Sequence, residues 1–296
     1  MSVKVYEIVQ NRIIEQIEEA IKNNGTAPWK RPWKGGLPKN YVTKRVYRGI
    51  NLLLLEPGSY ITFNQIKDLQ KKDPKIHLKK GSKSNIIVFW NFIEKEEDDE
   101  EKKIPFLKFY RVFHVSCVEG IEEEEIEKFE HDPLEDAEEL IEAYSKEVKI
   151  QEVEGGGRAF YSLTFDEIKI PSKKQFEYLE QYYSVLFHEI VHSTGHITRL
   201  NRLSNSDQGV FGSESYSKEE LVAEIGSNMI LAMLGIENEI QQENSIAYLY
   251  GWLKAIKEDS KLIVHAAQQA QKASDYVFSF VETEEQEIEE VLENEA

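Results

Sequence analysis

The stretch SVLFHEIVHSTGH sets the strictest condition on how this chain folds: His188, His192 and His196 recur at steps of four, with Glu189 directly after the first. Around them Val185, Leu186, Phe187, Ile190 and Val191 are apolar, so the segment reads as a helix that buries one face and shows imidazoles on another. Residues four apart leave a helix on the same side one turn apart, close enough for His188 and His192 to share a tetrahedral divalent cation. Glu189 lies one residue round, where a carboxylate reaches a water on such an ion without being a ligand itself. Gly195 is a helix stop, which takes His196 off the shared face and leaves it as an alternative ligand only.

A third ligand has to come from elsewhere. The longer pattern HExxHxxGxxH is excluded, because its last position is Thr198. The segment YSKEELVAEIGSNMILAMLG, Tyr216 to Gly235, is a strong helix pattern in which Glu220 and Glu224 stand one turn apart among Leu221, Val222, Ile225 and Met229. Carboxylates on a largely apolar helix need a partner, since an unpaired buried charge is costly. We assign Glu220 as the third ligand and Glu224 as the acceptor that orients a ligand histidine, with the reverse assignment left open. Such N and O donors accept zinc, with manganese as the alternative. His77, His114, His131 and His265 have no such company and read as structural residues.

Charge divides the chain in two. Residues 1–92 carry 17 Lys and Arg against 7 Asp and Glu, a balance of +10, whereas residues 93–296 carry 19 against 47, a balance of −28. A basic front suits a polyanion. Within it APWKRPWKGGLPKNYVTKRVYR mixes rings and cations on a backbone that proline keeps out of helix. Non-specific binding of single-stranded nucleic acid needs that mixture, rings for unstacked bases and cations for phosphates. The candidates are Trp29, Trp33, Tyr41 and Tyr47 for stacking, with Lys30, Arg31, Lys34, Lys39, Lys44, Arg45 and Arg48 along the phosphates. Lys80 and Lys83 extend the set through a Lys-rich turn at Gly81.

The remaining pattern is α+β. Val5, Ile8, Val9, Ile13 and Ile17 make one helical face before an NNG stop. Two long strands follow, around Ile86–Trp90 and Ile104–Gly120; the first is apolar on both faces and reads as central. The charged run Glu94–Lys103 between them reads as an exposed loop. Short strands surround Gly155–Gly157 and end at Pro171, after which Ser172 is a cap for a helix from Lys173. We expect an N-terminal domain over 1–125, a mainly helical domain with a small sheet over 126–281, and an acidic tail over 282–296. A single cysteine, Cys117, rules out an intrachain disulfide, and no apolar run approaches a membrane span, so a cytoplasmic protein is expected.

The stretches APWKRPW, YRGINLLLL, GSKSNIIVFW, YRVFHVSCVEG, FYSLTFDEIKIPS, YYSVLFHEIVHSTGHITRLNR and EELVAEIG, in this order, resemble the ArdC-type antirestriction proteins of plasmids, phages and mobile elements. The resemblance implies an N-terminal domain that binds single-stranded DNA and a C-terminal zincin-like metallopeptidase domain. It implies that His188 and His192 are metal ligands, Glu189 the catalytic glutamate, and Glu220 the acidic residue that completes the site. Its partners would be single-stranded DNA and a protein substrate or restriction-system component. Two other functions compete: a non-catalytic DNA-binding module whose metal is structural, and a regulatory metalloprotease acting on a protein partner.

Overall fold

The structure is a computed structural model that describes residues 2–22, 37–97, 100–122, 133–203, 214–236 and 245–295. The chain divides into two compact units. The first is drawn from the front half together with Ile246–Val264, the second from Lys128–Ser245 with His265–Ala296. The second unit therefore differs from the uninterrupted 126–281 domain expected from sequence. Both mix helix with sheet, and the fold class is α+β.

In the first unit, helix α1 (Ser2–Lys22) buries Val5, Val9, Ile13 and Ile17, the stripe that its apolar periodicity dictates. Strands β1 (Lys39–Asn40), β2 (Ser59–Thr62), β4 (Asn85–Glu97) and β5 (Glu100–His114) form one sheet in the order β1-β2-β5-β4. Helix α2 (Ile50–Leu54) lies in the β1–β2 connection. Helix α3 (Phe63–Gln70) follows β2 through a capping box: Thr62 Oγ1 accepts from Gln65 N, and Gln65 Oε1 from Thr62 N. A small antiparallel pair, β3 (His77–Leu78) with β6 (Val118–Glu119), stands apart from that sheet.

Two strand expectations are corrected. β4 is an edge strand, not a central one. Its apolar character on both faces has another cause: Ile87 joins the cluster of Tyr47, Leu55, Tyr60 and Val112, while the free edge is met by a side chain from α2. Asn51 Nδ2 donates to Val88 O at 2.9 Å, and Asn51 Oδ1 accepts from Val88 N at 2.7 Å, so a buried amide takes the place of a neighbouring strand. Nor is the charged run a loop: β4 and β5 pair as far as Glu97↔Glu100. Backbone pairing does not require burial, and the register sets Glu94 opposite Lys103.

Helix α7 (Ser245–Glu258) belongs to this first unit. Gln10 Nε2 donates to Ile256 O at 2.6 Å, and Lys257 pairs with Glu18 at 2.7 Å, tying α7 to α1.

In the second unit, α4 (Pro133–Tyr144) precedes a three-stranded sheet of β7 (Lys149–Val153), β8 (Phe160–Ser162) and β9 (Glu167–Pro171). β9 lies between a parallel β7 and an antiparallel β8, which leaves β8 at an edge. Helix α5 (Leu179–Thr194) starts six residues later than Lys173, because Phe176 and Tyr178 are extended; Ser172 precedes only a single 3₁₀ turn and its side chain makes no cap hydrogen bond. Helices α6 (Glu214–Leu234) and α8 (Leu262–Glu295) complete the unit. Ala266, Ala267, Ala270 and Ala273 on α8 are all buried. Gly226 on α6 permits this closeness: a Cβ there would lie 3.0 Å from both Val191 methyls and 3.6 Å from Ala270 Cα. No helix among the described residues is long and apolar enough to cross a membrane.

Candidate metal centre

α5 buries Tyr182, Tyr183, Leu186, Phe187, Ile190 and Val191, and this fixes the rotation of the helix. His188 and His192 consequently leave it together, with ring centroids 4.7 Å apart, toward α6. Glu220 on α6 meets them. His188 Nε2 is 3.1 Å from His192 Nε2, Glu220 Oε2 is 3.4 Å from His188 Nε2, and Glu220 Oε1 is 3.4 Å from His192 Nε2.

The size of that triangle is a test of fit. Bonds of about 2.0–2.2 Å at tetrahedral angles hold ligand atoms roughly 3.3–3.6 Å apart; each imidazole nitrogen stands at that distance from one Glu220 oxygen and the nitrogen pair is slightly closer, so the group has the size that surrounds one cation. Among the described residues, His188, His192 and Glu220 are the group of three able to do so. Two imidazole nitrogens and a carboxylate, all half-buried, are a donor set for a divalent ion.

His192 is oriented from behind. Its Nδ1 stands 3.3 Å from Glu219 Oε1, and a hydrogen bond donated there leaves the Nε2 lone pair facing Glu220 and His188. Glu219 is itself gripped by Arg202, whose Nε and Nη2 donate to its two oxygens at 2.9 and 2.8 Å. Arg202 also donates to Val191 O and Thr194 Oγ1 in the last turn of α5, where carbonyls lack helical partners. Gly195 lets the chain fold back to place this arginine: a Cβ on it would lie 2.7 Å from Leu203 Cγ.

Protonation follows the same contacts. Burial alone would lower the His192 pKa, but hydrogen bonding to Glu219 and Glu220, with the charge of Glu219 and Glu189, pushes it up to about 10. Burial would raise Glu220, yet the two histidines hold its carboxyl far below the usual range. Glu219 is likewise lowered against its burial, by His192 and Arg202. The site is built to neutralise a positive charge.

Glu189 faces the small sheet. Its Oε2 accepts from the Tyr161 backbone N–H of β8 at 2.7 Å. Tyr161 Oη donates to Asp166 Oδ1 at 2.7 Å, and Arg199, whose side chain is 1% exposed, donates to both Asp166 oxygens and to Tyr161 Oη. His196 lies beyond the end of α5, bonded to Thr198 Oγ1 at 2.8 Å and 3.9 Å from Asp166, outside the triangle. Glu224 sits one turn past Glu220, half-buried, its carbonyl accepting from Ser227 and Asn228. For His192 the acceptor is Glu219 rather than Glu224. Glu219 and Arg202 were not singled out by sequence; the signals were the Glu219-Glu220 doublet and an arginine soon after the glycine stop.

In the first unit, Lys44, Arg45, Arg48, Lys80 and Lys83 are exposed. Lys44 has a left-handed backbone, φ 61°, and its Nζ lies 4.6 Å from the centre of the half-buried Tyr41 ring. Tyr47 is a correction: it is 6% exposed, edge-on to Tyr60, and serves the core instead of a stacking surface. Trp29, Lys30, Arg31, Trp33 and Lys34 lie outside the described residues.

Fold and site together define a protein of two α+β units, the second of them zincin-like with a divalent-metal triangle. Residues 135–269 match the family of zincin-like metallopeptidases, and residues 3–113 match the N-terminal domain of the anti-restriction factor ArdC. The metal-free crystal structure of the antirestriction protein ArdC from plasmid R388 aligns with a TM-score of 0.73 at 33% identity, covering 94% of this chain and 98% of that one. Its Mn(II)-bound structure gives 0.72 at 33% identity, with 93% and 97% covered. This chain belongs to the ArdC family of antirestriction proteins. It is also 32% identical over 307 residues to an Escherichia coli DNA primase, TraC, covering 95% of this chain but spanning only 28% of the primase. An uncharacterised Sinorhizobium fredii protein, y4eC, is 28% identical, with 92% and 91% covered.

Proposed function

We propose that this chain is an antirestriction protein of a mobile element that binds single-stranded DNA with its first unit and carries a metal-dependent peptidase-like site in its second. The observation that carries the reading is the convergence of His188 Nε2, His192 Nε2 and Glu220 on one point, beside a glutamate that is not itself a ligand. A bound zinc or manganese ion would supply a Lewis acid and acidify a water at that point. With such an ion bound, Glu189 would be placed to act as general base and then general acid, while Glu219 keeps the His192 imidazole aimed and Glu220 completes the donor set. The basic front, with Lys44, Arg45, Arg48, Lys80 and Lys83 in solvent, supports phosphate contact. The resemblance to a primase over only part of its length is consistent with a module that works on nucleic acid.

One observation favours a second reading, in which the zincin half is a metal-stabilised scaffold without peptidase chemistry. Glu189 already accepts the Tyr161 N–H, so one carboxylate oxygen is engaged by the edge strand. Glu189→Gln separates the two. If antirestriction needs hydrolysis, this variant keeps metal and DNA binding and loses protection of incoming DNA. If protection persists at the wild-type level, the peptidase reading is wrong and the scaffold reading stands.

A further inference from the structure

The β4–β5 hairpin carries a solvent-facing aromatic surface far in sequence from the metal triangle. Phe89 on β4 lies directly opposite Lys108 on β5, and Ile87 directly opposite Tyr110. Directly opposed residues share a face, so Ile87, Phe89, Lys108 and Tyr110 stand on one side of the sheet. At one end of this face Ile87 and Val112 are buried in the core. Tyr110, directly across from Ile87, and Phe89, the next residue of β4 on this face, reach solvent at 41% and 47% exposure. The two rings meet edge to face with centroids 5.9 Å apart, and Lys108 Nζ lies 5.3 Å from the centre of the Tyr110 ring.

We propose that Phe89 and Tyr110, with Lys108 beside them, form a stacking platform for unpaired bases of single-stranded DNA. The proposal rests on reading the first unit as DNA-binding and says where on that unit the bases go. Three facts choose this occupant. Scattered single apolar residues on a surface are ordinary, but here two large rings are exposed together on a sheet, each with a π-face that a base of any identity can cover. Lys108 is exposed and, among the described residues, its Nζ has no carboxylate partner; it is already over a ring, where a stacked nucleotide would bring its phosphate. The centre of a protein–protein interface is depleted in lysine, so ring-plus-lysine chemistry suits a polyanion better than an apolar protein face.

The test is fluorescence anisotropy of the full chain with a labelled oligothymidylate over a series of salt concentrations, comparing wild type with Phe89→Ala, Tyr110→Ala, Lys108→Gln and the ring-retaining Phe89→Trp and Tyr110→Trp. Each alanine variant is expected to bind about 10-fold more weakly at fixed salt with an unchanged salt slope. Lys108→Gln should reduce the slope of log affinity against log salt by about 0.7, and the tryptophan variants should bind at least as tightly as wild type. Thermal melts of the same proteins show whether the fold is kept, and a loss that tryptophan does not rescue counts against stacking. If wild type binds with a steep salt slope and both alanine variants match it, the platform is wrong while the DNA reading survives; the rings would then be hairpin packing or a protein contact. If wild type shows no salt-dependent affinity, the DNA reading fails and the platform with it.

Discussion

Glu219 Oε1 stands 3.3 Å from His192 Nδ1, on the side of the imidazole that points away from the ligand triangle. Because Arg202 holds both oxygens of that carboxylate, the ring of His192 has one orientation before any cation arrives, and it is Nε2 that is left to give up its proton to a metal while Nδ1 keeps its bond to Glu219. Glu219→Gln and Arg202→Gln should therefore weaken divalent-metal affinity about 10- to 100-fold without removing a ligand. Competition against a fluorescent chelator measures this. Equal affinity in wild type and both variants would mean that Glu219 is only a partner for the arginine.

Metal should also stabilise the second unit. An ion held by both α5 and α6 binds the folded state alone, so stability rises by about 2.7 kcal/mol when free metal is 100 times its dissociation constant. The wild-type melting temperature should fall on adding a chelator and recover with zinc or manganese. His188→Ala should melt at one temperature under all three conditions, and the purified variant should contain less than a stoichiometric amount of metal.

How much of this was legible beforehand depends on distance along the chain. His188 and His192 lie about one helical turn apart with Glu189 one residue round, so periodicity alone placed the two imidazoles on one face and the carboxylate beside it. Glu220 required pairing two helices, and the apolar residues around it were enough to demand a partner. Arg202 and Glu219 were not visible, because their roles depend on the fold-back at Gly195, which arises from a tight approach to Leu203 and leaves no periodic trace. Tyr47 failed for a similar reason: a tyrosine in a basic loop looks the same in sequence whether it faces a base or packs on Tyr60. The same limit applies to α7, an amphipathic helix whose pattern demands a covering surface without saying that α1 provides it.

Asp166 gives the second unit an acid-sensitive bond. Burial would raise its pKa, but hydrogen bonds from Arg199 and Tyr161, and the charges of Arg199 and His196, bring it below the usual carboxylate value. A carboxyl whose pKa is depressed on folding contributes stability above its unfolded pKa of about 4, and that contribution is lost as pH falls through the folded value. The wild-type stability curve should therefore drop on the acid side, and Asp166→Asn should flatten this part of the drop. At neutral pH the variant leaves the Arg199 guanidinium buried with a weaker partner and should cost about 2 kcal/mol, below the range for a fully buried pair because Asp166 is partly solvated. Urea melts of the two proteins from pH 3 to 7 decide it; parallel curves would show that the pair carries no charge-linked stability.

Asn51 offers the sharpest test of the first unit, because it does what a fifth strand would do. Its amide gives and receives one hydrogen bond with the backbone of Val88, all of it buried, at the edge of the sheet where β4 would otherwise present an open donor and acceptor. Asn51→Ala leaves both backbone groups without a partner, at about 1–3 kcal/mol for each, so a loss of about 3 kcal/mol is expected. Asn51→Asp is the more discriminating change: the carboxylate still accepts from Val88 N but sets a negative charge against Val88 O, and the variant should be at least as unstable as the alanine form near neutral pH. Protonation restores a donor, and burial against a carbonyl raises the folded-state pKa above the free value, so the aspartate variant should recover part of the loss as pH falls toward about 4 while the alanine variant does not. Amide exchange at Val88, slow in wild type and fast in both variants at pH 7, reports the same bond directly. Slow exchange in the alanine variant would mean that the edge is closed by something other than this side chain.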